Sequence, residues 1–268
     1  MNGLFPSTYT DLNQVLEILV ASVKAILKKD FVGAYLQGSF AAGDYDVYSD
    51  LDFVIVVEEE LSDNQVQDLQ VMHSRIYELD SPWAQRLDGS YFPKEILQRQ
   101  DLPEVELWYL DNGHRSMVKS THCNTLVVRW VLREHGVTLA GPAPKSLVGP
   151  VEDKMLRKEI YEVITEWGEE ILQNPERYNN RFYQSFIVLS YCRMLHSLHT
   201  GRVGSKRAGA DFAKANLDLR WIGLIDRTWT GRINPSVSIR EPADSAEFKA
   251  TLDFIRFVRE ESKRIMSN

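Results

Sequence analysis

Cysteine is nearly absent: Cys123 and Cys192 are the two in 268 residues, with neither CxxC spacing nor a zinc-type cluster around them. That excludes a disulfide-built scaffold, and the pair reads as reduced thiols of a cytoplasmic protein. No apolar run reaches the roughly 18 residues of a membrane span, and residues 1–10 lack a basic stretch followed by an apolar one. The expectation is a soluble, unprocessed chain with no membrane partner. Basic surplus is missing too, since 31 Lys and Arg stand against 38 Asp and Glu for a net charge of -7. Without a basic stripe, duplex nucleic acid is not an expected partner. The phosphate-binding GxxxxGK[ST], the dinucleotide GxGxxG and the nucleophile-elbow GxSxG are all absent.

What remains is ordinary globular composition, 44% hydrophobic and 26% charged, in a length that suits two domains. Apolar residues at Leu12, Val15, Leu16, Leu19, Val23, Ile26 and Leu27 recur with helical spacing, and Asp11 with Gln14 suggests a capping box at the start. Residues 31–36 and 51–57 are short apolar runs that read as buried strands. Ser62 and Gln65 repeat the capping-box spacing ahead of a second helical pattern through Leu79. Residues 86–92 and 105–110 read as further strands separated by a turn-rich segment, 93–103. Residues 125–135 read as a helix with Gly136 as its left-handed cap. The breaker cluster 141–150 then ends the strand-like runs, and five helical patterns follow: 155–172, 182–199, 208–217, 221–229 and 248–266. The expectation is an α/β domain over 1–150 and an all-α domain over 151–268.

Chemistry concentrates in residues 38–57. A Gly38-Ser39 turn follows the first strand, small residues Ala41, Ala42 and Gly43 come next, and Ser49-Asp50-Leu51-Asp52 opens the second strand. Side chains two apart on a strand share a face, so Asp50 and Asp52 can aim at one point. Two carboxylates about 4 Å apart at an effective dielectric of about 20 repel by about 4 kcal/mol, a conflict that a divalent cation removes. Magnesium takes one or two carboxylates and completes its shell with water and phosphate oxygens. A chain this long carries about one DxD by chance, and a second one, Asp44 with Asp46, sits in a turn-like segment where solvated aspartates are the simpler reading. Context separates Asp50 and Asp52 from that pair: strand, Gly-Ser, loop, Ser-Asp-x-Asp, strand.

This GS-x(10)-DxD arrangement resembles the nucleotidyltransferase fold of the DNA polymerase β type, with its mixed sheet. The resemblance implies that Asp50 and Asp52 hold Mg²⁺, that Gly38, Ser39 and Ser49 contact the triphosphate, and that Asp88 on the next strand is the third carboxylate. With Gly89 behind it, Asp88 also reads as a plain turn residue. YSDLDFVIVV (48–57), REHGVTLAGP (133–142) and the stretches 189–201 and 208–213 extend the likeness to bacterial aminoglycoside adenylyltransferases that modify streptomycin and spectinomycin. Those have an α/β nucleotidyltransferase domain followed by a helical-bundle domain, use ATP, and adenylylate a hydroxyl of a small-molecule acceptor. The likeness assigns Arg193 and Lys206 to the phosphates and Trp229 to the adenine, against the alternatives of a snorkelling arginine, a solvated lysine and a core tryptophan. It also implies acceptor-binding carboxylates near the start of the second C-terminal helix, where this chain has Arg177-Tyr-Asn-Asn-Arg-Phe-Tyr183, and an acid where it has Asn124. The fold could also serve a silent nucleotide-binding or toxin-partner module, or an enzyme that adenylylates a protein or another metabolite. His196 and His199 share a helix face without a third ligand and read as packed or solvated rather than zinc-binding.

Overall fold

The apolar run 51–57 lies inside a six-stranded mixed sheet. Its strands are β1 (Phe31–Leu36), β2 (Leu51–Val57), β3 (Leu87–Pro93), β4 (Leu107–Leu110), β5 (Val118–Ser120) and β6 (Val137–Ala140), in the order β5-β4-β3-β2-β1-β6. β2 and β3 run parallel, and every other neighbouring pair is antiparallel. The structure, a computed structural model, describes residues 7–99, 104–232 and 239–267.

β2 is apolar on both faces because both are covered. Leu51, Phe53, Ile55 and Val57 join Leu12, Leu16, Leu19 and Val23 of α1 (Thr10–Leu27) and Val66, Leu69 and Met72 of α3 (Asp63–Tyr77). Val54 and Val56 meet Leu97 of α4 (Lys94–Gln98) and Leu132 of α5 (Leu126–His135) on the other side. Each such aliphatic side chain contributes about 1.5–3 kcal/mol when fully buried. Between β1 and β2, the five-residue α2 (Gly38–Ala42) turns the chain.

The capping box of Ser62 and Gln65 forms as expected at the start of α3. The one expected at Asp11 and Gln14 does not. The α1 helix begins two residues earlier with Tyr9 as its N-cap, and Ser7 and Asn13 hold that start: the Tyr9 amide donates to Ser7 Oγ at 3.1 Å and the Asn13 amide group to Ser7 O at 2.9 Å. Gly136 is not a left-handed cap either. At φ -53° and ψ 127° it runs straight into β6, which leaves no reversal for a cap to make. The turn-rich segment holds α4, while residues 100–103 lie outside the described residues, as do residues 1–6 of the N-terminal reading. β5 and β6 carry no period-two signal at three and four residues, and are strands through pairing with β4 and β1.

Contacts divide the chain between Val151 and Glu152 into two compact units. The regular elements described in the second are helical: α6 (Asp153–Gln173), α7 (Arg181–Thr200), α8 (Lys206–Asn216), α9 (Ile222–Thr230) and α10 (Ser245–Ser267). α7 is the central one, packed on the other four, with Ile187, Val188, Tyr191, Cys192, Leu195 and Leu198 buried. Cys123 and Cys192 are both free and buried. Among the described residues no helix is long and apolar enough to cross a membrane.

Candidate active site

The parallel register of β2 and β3 places Asp52 opposite Asp88, on strands that lie about 4.8 Å apart in any sheet. Period two then fixes their face. Asp52 shares it with Val54 and Val56, and Asp88 with Ser90 and Phe92, the side covered by α4 and α5. Both are half-buried, each the second residue of its strand. The strands approach closely at Gly89, where a Cβ would collide with the Phe53 carbonyl.

The Gly-Ser turn lies against the same carboxylate. Gly38 has φ +59°, and a Cβ there would overlap the Asp52 carboxyl group. The Gln37 amide donates to Asp52 O at 3.0 Å, tying turn to strand, and the buried Ser39 Oγ has no hydrogen-bond partner. Gly38→Ala therefore displaces Asp52 and strains the backbone. We expect it to cost about 1–3 kcal/mol of stability and about 10- to 100-fold in activity, read by thermal melting and a turnover assay. A variant with native activity would separate the turn from the site.

Two residues that the sequence did not single out brace these carboxylates. Asn112 Nδ2 donates to Asp50 Oδ1 at 2.6 Å. The Tyr109 hydroxyl lies 3.2 Å from Asp88 Oδ2 and 3.1 Å from Asp111 Oδ1, so its single proton is shared between two acceptors. Burial first, then the charges of Asp52 and Asp50, push the Asp88 carboxyl up to about 8, and the Tyr109 hydrogen bond opposes them. Alternation along β4, with Leu107 and Tyr109 facing α5, was the available signal, but only the β3–β4 register reveals that Tyr109 reaches Asp88. Tyr109→Phe should raise the Asp88 carboxyl further and move the acid limb of the rate profile to higher pH. An unmoved profile would mean that this hydroxyl does not tune the carboxyl. Among the described residues, no group of three or more His, Cys, Asp or Glu side chains stands so that it could hold a metal ion by itself.

The remaining sequence-derived residues divide by surroundings. Ser49 Oγ accepts from the Asp46 amide at 2.9 Å and Asp46 Oδ1 from the Tyr48 amide at 2.9 Å, which makes this loop a self-capped turn. Asn124 Oδ1 accepts from the buried Arg129 at 3.0 Å, and Arg129 also holds the Ile96 carbonyl. In the helical unit, Arg193 lies on α7 where a Cβ at Gly209 of α8 would collide with its backbone, and Lys206, one turn earlier on α8, stands 4.9 Å over the Phe186 ring. Trp229 already carries guanidinium groups, Arg232 at 3.8 Å and Arg207 at 4.9 Å from its ring centre. His196 and His199 both pack on Phe212, at 5.4 and 5.2 Å.

Two family models match, one to each part of the chain. The nucleotidyltransferase domain covers residues 17–119, and the C-terminal domain of aminoglycoside adenylyltransferase covers 146–252. The chain is a nucleotidyltransferase-fold protein that resembles the aminoglycoside adenylyltransferases. An aminoglycoside (3'')(9) adenylyltransferase of Klebsiella pneumoniae is 25% identical over 134 residues, half of this chain and 47% of that one. A spectinomycin 9-adenylyltransferase of Staphylococcus aureus is 25% identical over 238 residues, 84% of each. The chain thus matches about half the length of the first relative and most of the second. The crystal structure of an Enterococcus spectinomycin adenyltransferase with ATP and spectinomycin shares the fold, with TM-score 0.65 at 14% identity over 92% of this adenylyltransferase-like chain and 98% of the other.

Proposed function

We propose that the protein is a Mg²⁺-dependent nucleotidyltransferase that moves AMP from ATP to a hydroxyl of a small molecule, in the cytoplasm. The observation that carries this reading is the pairing of Asp52 with Asp88 on adjacent parallel strands, with the Gly38-Ser39 turn against Asp52. The donor set suits magnesium: hard oxygens, in a place where unrelieved negative charge already helps to hold Asp88 protonated. A two-carboxylate site completed by water and phosphate needs no closed cage of protein ligands. When bound, the cation supplies neutralisation of the triphosphate charge. Asp50 and Asp52 hold it, with Asp88 beside them.

Asp88 takes the proton from the acceptor hydroxyl as that oxygen attacks the α-phosphorus and pyrophosphate leaves. Tyr109 and Asn112 keep the carboxylates in place. Ser39, its hydroxyl buried and unpaired, contacts a phosphate oxygen, with Gly38 and Ser49 shaping the turn and loop beside it. Arg193 and Lys206 add cationic contacts to the phosphates, and Trp229 the adenine contact, which requires the ring to share its surface with Arg232. The acceptor class is a hydroxyl-bearing small molecule of the kind that the relatives' names describe. The test is pyrophosphate release from ATP and Mg²⁺ across a panel containing spectinomycin, streptomycin and candidate protein acceptors. Acceptor-dependent release is expected. ATP binding without release would instead make the chain a nucleotide-binding module.

A further inference from the structure

His73 is a buried titratable group that the transfer reaction does not use. It lies on the inner face of α3 at 1% exposure, against the side of the sheet opposite to Asp52 and Asp88. Its ring stacks on Phe53 at 5.8 Å and 26°, and its Nε2 lies 2.8 Å from the Tyr91 hydroxyl. Phe53 follows Asp52 on β2, and Tyr91 shares β3 with Asp88. One imidazole therefore ties α3 to both strands that carry the carboxylates.

This contact is balanced only while the imidazole is neutral. Its Nδ1 is buried without a hydrogen-bond partner. An imidazolium has two N–H donors, and the Tyr91 oxygen can accept one of them. The other would point from Nδ1 into apolar surroundings, carrying a charge that nothing pairs. A buried group in that position avoids the cost by staying neutral or by leaving. Burial pulls the His73 imidazole down to about 3, and it is the one cause of the shift. The facing groups agree. Tyr91 of β3 presents a hydroxyl that its own burial keeps protonated, β2 presents Phe53, and α1 adds Leu12, Leu16 and Leu19 to the same apolar cluster.

We propose that His73 is an acid-sensitive latch, whose protonation frees α3 from β2 and β3 and so takes apart the pairing of Asp52 with Asp88 from the face away from the chemistry. The latch needs these strands and not the reaction, so it stands apart from the transfer reading. An imidazole in the unfolded chain titrates near 6.5. Between about 3 and that value the unfolded chain binds more protons, so stability is complete above the window and is lost as pH falls through it. Asp88 titrates across part of the same window with the opposite sign, so the latch is read as a difference between two proteins.

The test compares the full chain with the double variant His73→Leu, Tyr91→Phe, which roughly keeps the volume and removes both polar groups together. In chelator the two should melt within about 3 °C of each other at pH 7.5, and by pH 4.5 the wild type should have lost about 5–10 °C more than the variant. At pH 5, amide exchange in α3, β2 and β3 should be about 10- to 30-fold faster in the wild type, and should return to its slow rate at pH 7.5. A reading on the wild type alone covers a variant that folds poorly: nitrogen NMR should show the His73 imidazole of the folded chain still neutral at pH 5. Parallel melting of the two proteins down to pH 4.5, equal exchange at pH 5, or a His73 imidazolium in the folded chain would overturn the proposal.

Discussion

Asp88→Asn should cut turnover steeply and yet make the metal-free protein more stable at pH 8. The two effects have one cause. Asp88 titrates at about 8 in the fold against 3.8 for the ordinary carboxyl, so the folded state holds this proton more tightly than the unfolded chain does. Between those values the folded state binds more protons, and stability falls as pH rises, with the whole loss present above about pH 8. Asparagine keeps the shape and removes the titration. Because the half-exposed carboxyl retains some contact with water, the gain should be about 1–3 kcal/mol rather than the full value of the shift. A rise in melting temperature of about 3–8 °C at pH 8 in chelator, shrinking towards zero near pH 4, is the expected calorimetric result. Turnover should fall about 10²- to 10⁴-fold, the usual contribution of a general base. Equal melting of wild type and variant at pH 8 would mean that burial and the neighbouring carboxylates do not hold the Asp88 proton.

Asp52→Ala carries a loss of about 10³-fold or more in turnover on the proposed function, because it removes the carboxylate that lies against the Gly38 turn and opposite Asp88 and that is proposed to hold the cation. The fold should survive. Asp52 is half-buried at the start of β2, and the strand's apolar residues from Phe53 to Val57 remain to pack both faces. Two readings separate a lost site from a lost fold. Magnesium should raise the melting temperature of the wild type but not of the variant. The Asp88 carboxyl, relieved of a neighbouring charge, should titrate lower by carbon NMR. A variant that still gains stability from magnesium would place the cation elsewhere.

The core of this arrangement was readable before any coordinates. Asp50 and Asp52 stood out through their setting of Gly-Ser, loop and apolar strand, a local signal carried by short spacings, whereas Asp88 was assigned by the resemblance, which puts a third carboxylate on the next strand. Tyr109 and Asn112 were not readable, because their bonds to Asp88 and Asp50 cross from β4 and the loop after it, and depend on register. The same holds for Trp229: its spacing gave no hint that Arg207 and Arg232 lie on the ring. Among the elements, Gly136 misled because a glycine after a helix usually reverses the chain, whereas here β6 begins at once. β5 and β6 were missed because three or four residues carry too little periodicity, and partner strands decide their conformation.

The most direct test of the central claim is mass spectrometry of acceptor mixtures incubated with the protein, ATP and Mg²⁺, with Asp52→Ala in parallel. The account predicts an acceptor that gains one AMP in a Mg²⁺-dependent way with the wild type and none with the variant. An acceptor labelled equally by both would contradict it, since the chemistry would then lie outside the Asp52 and Asp88 pair.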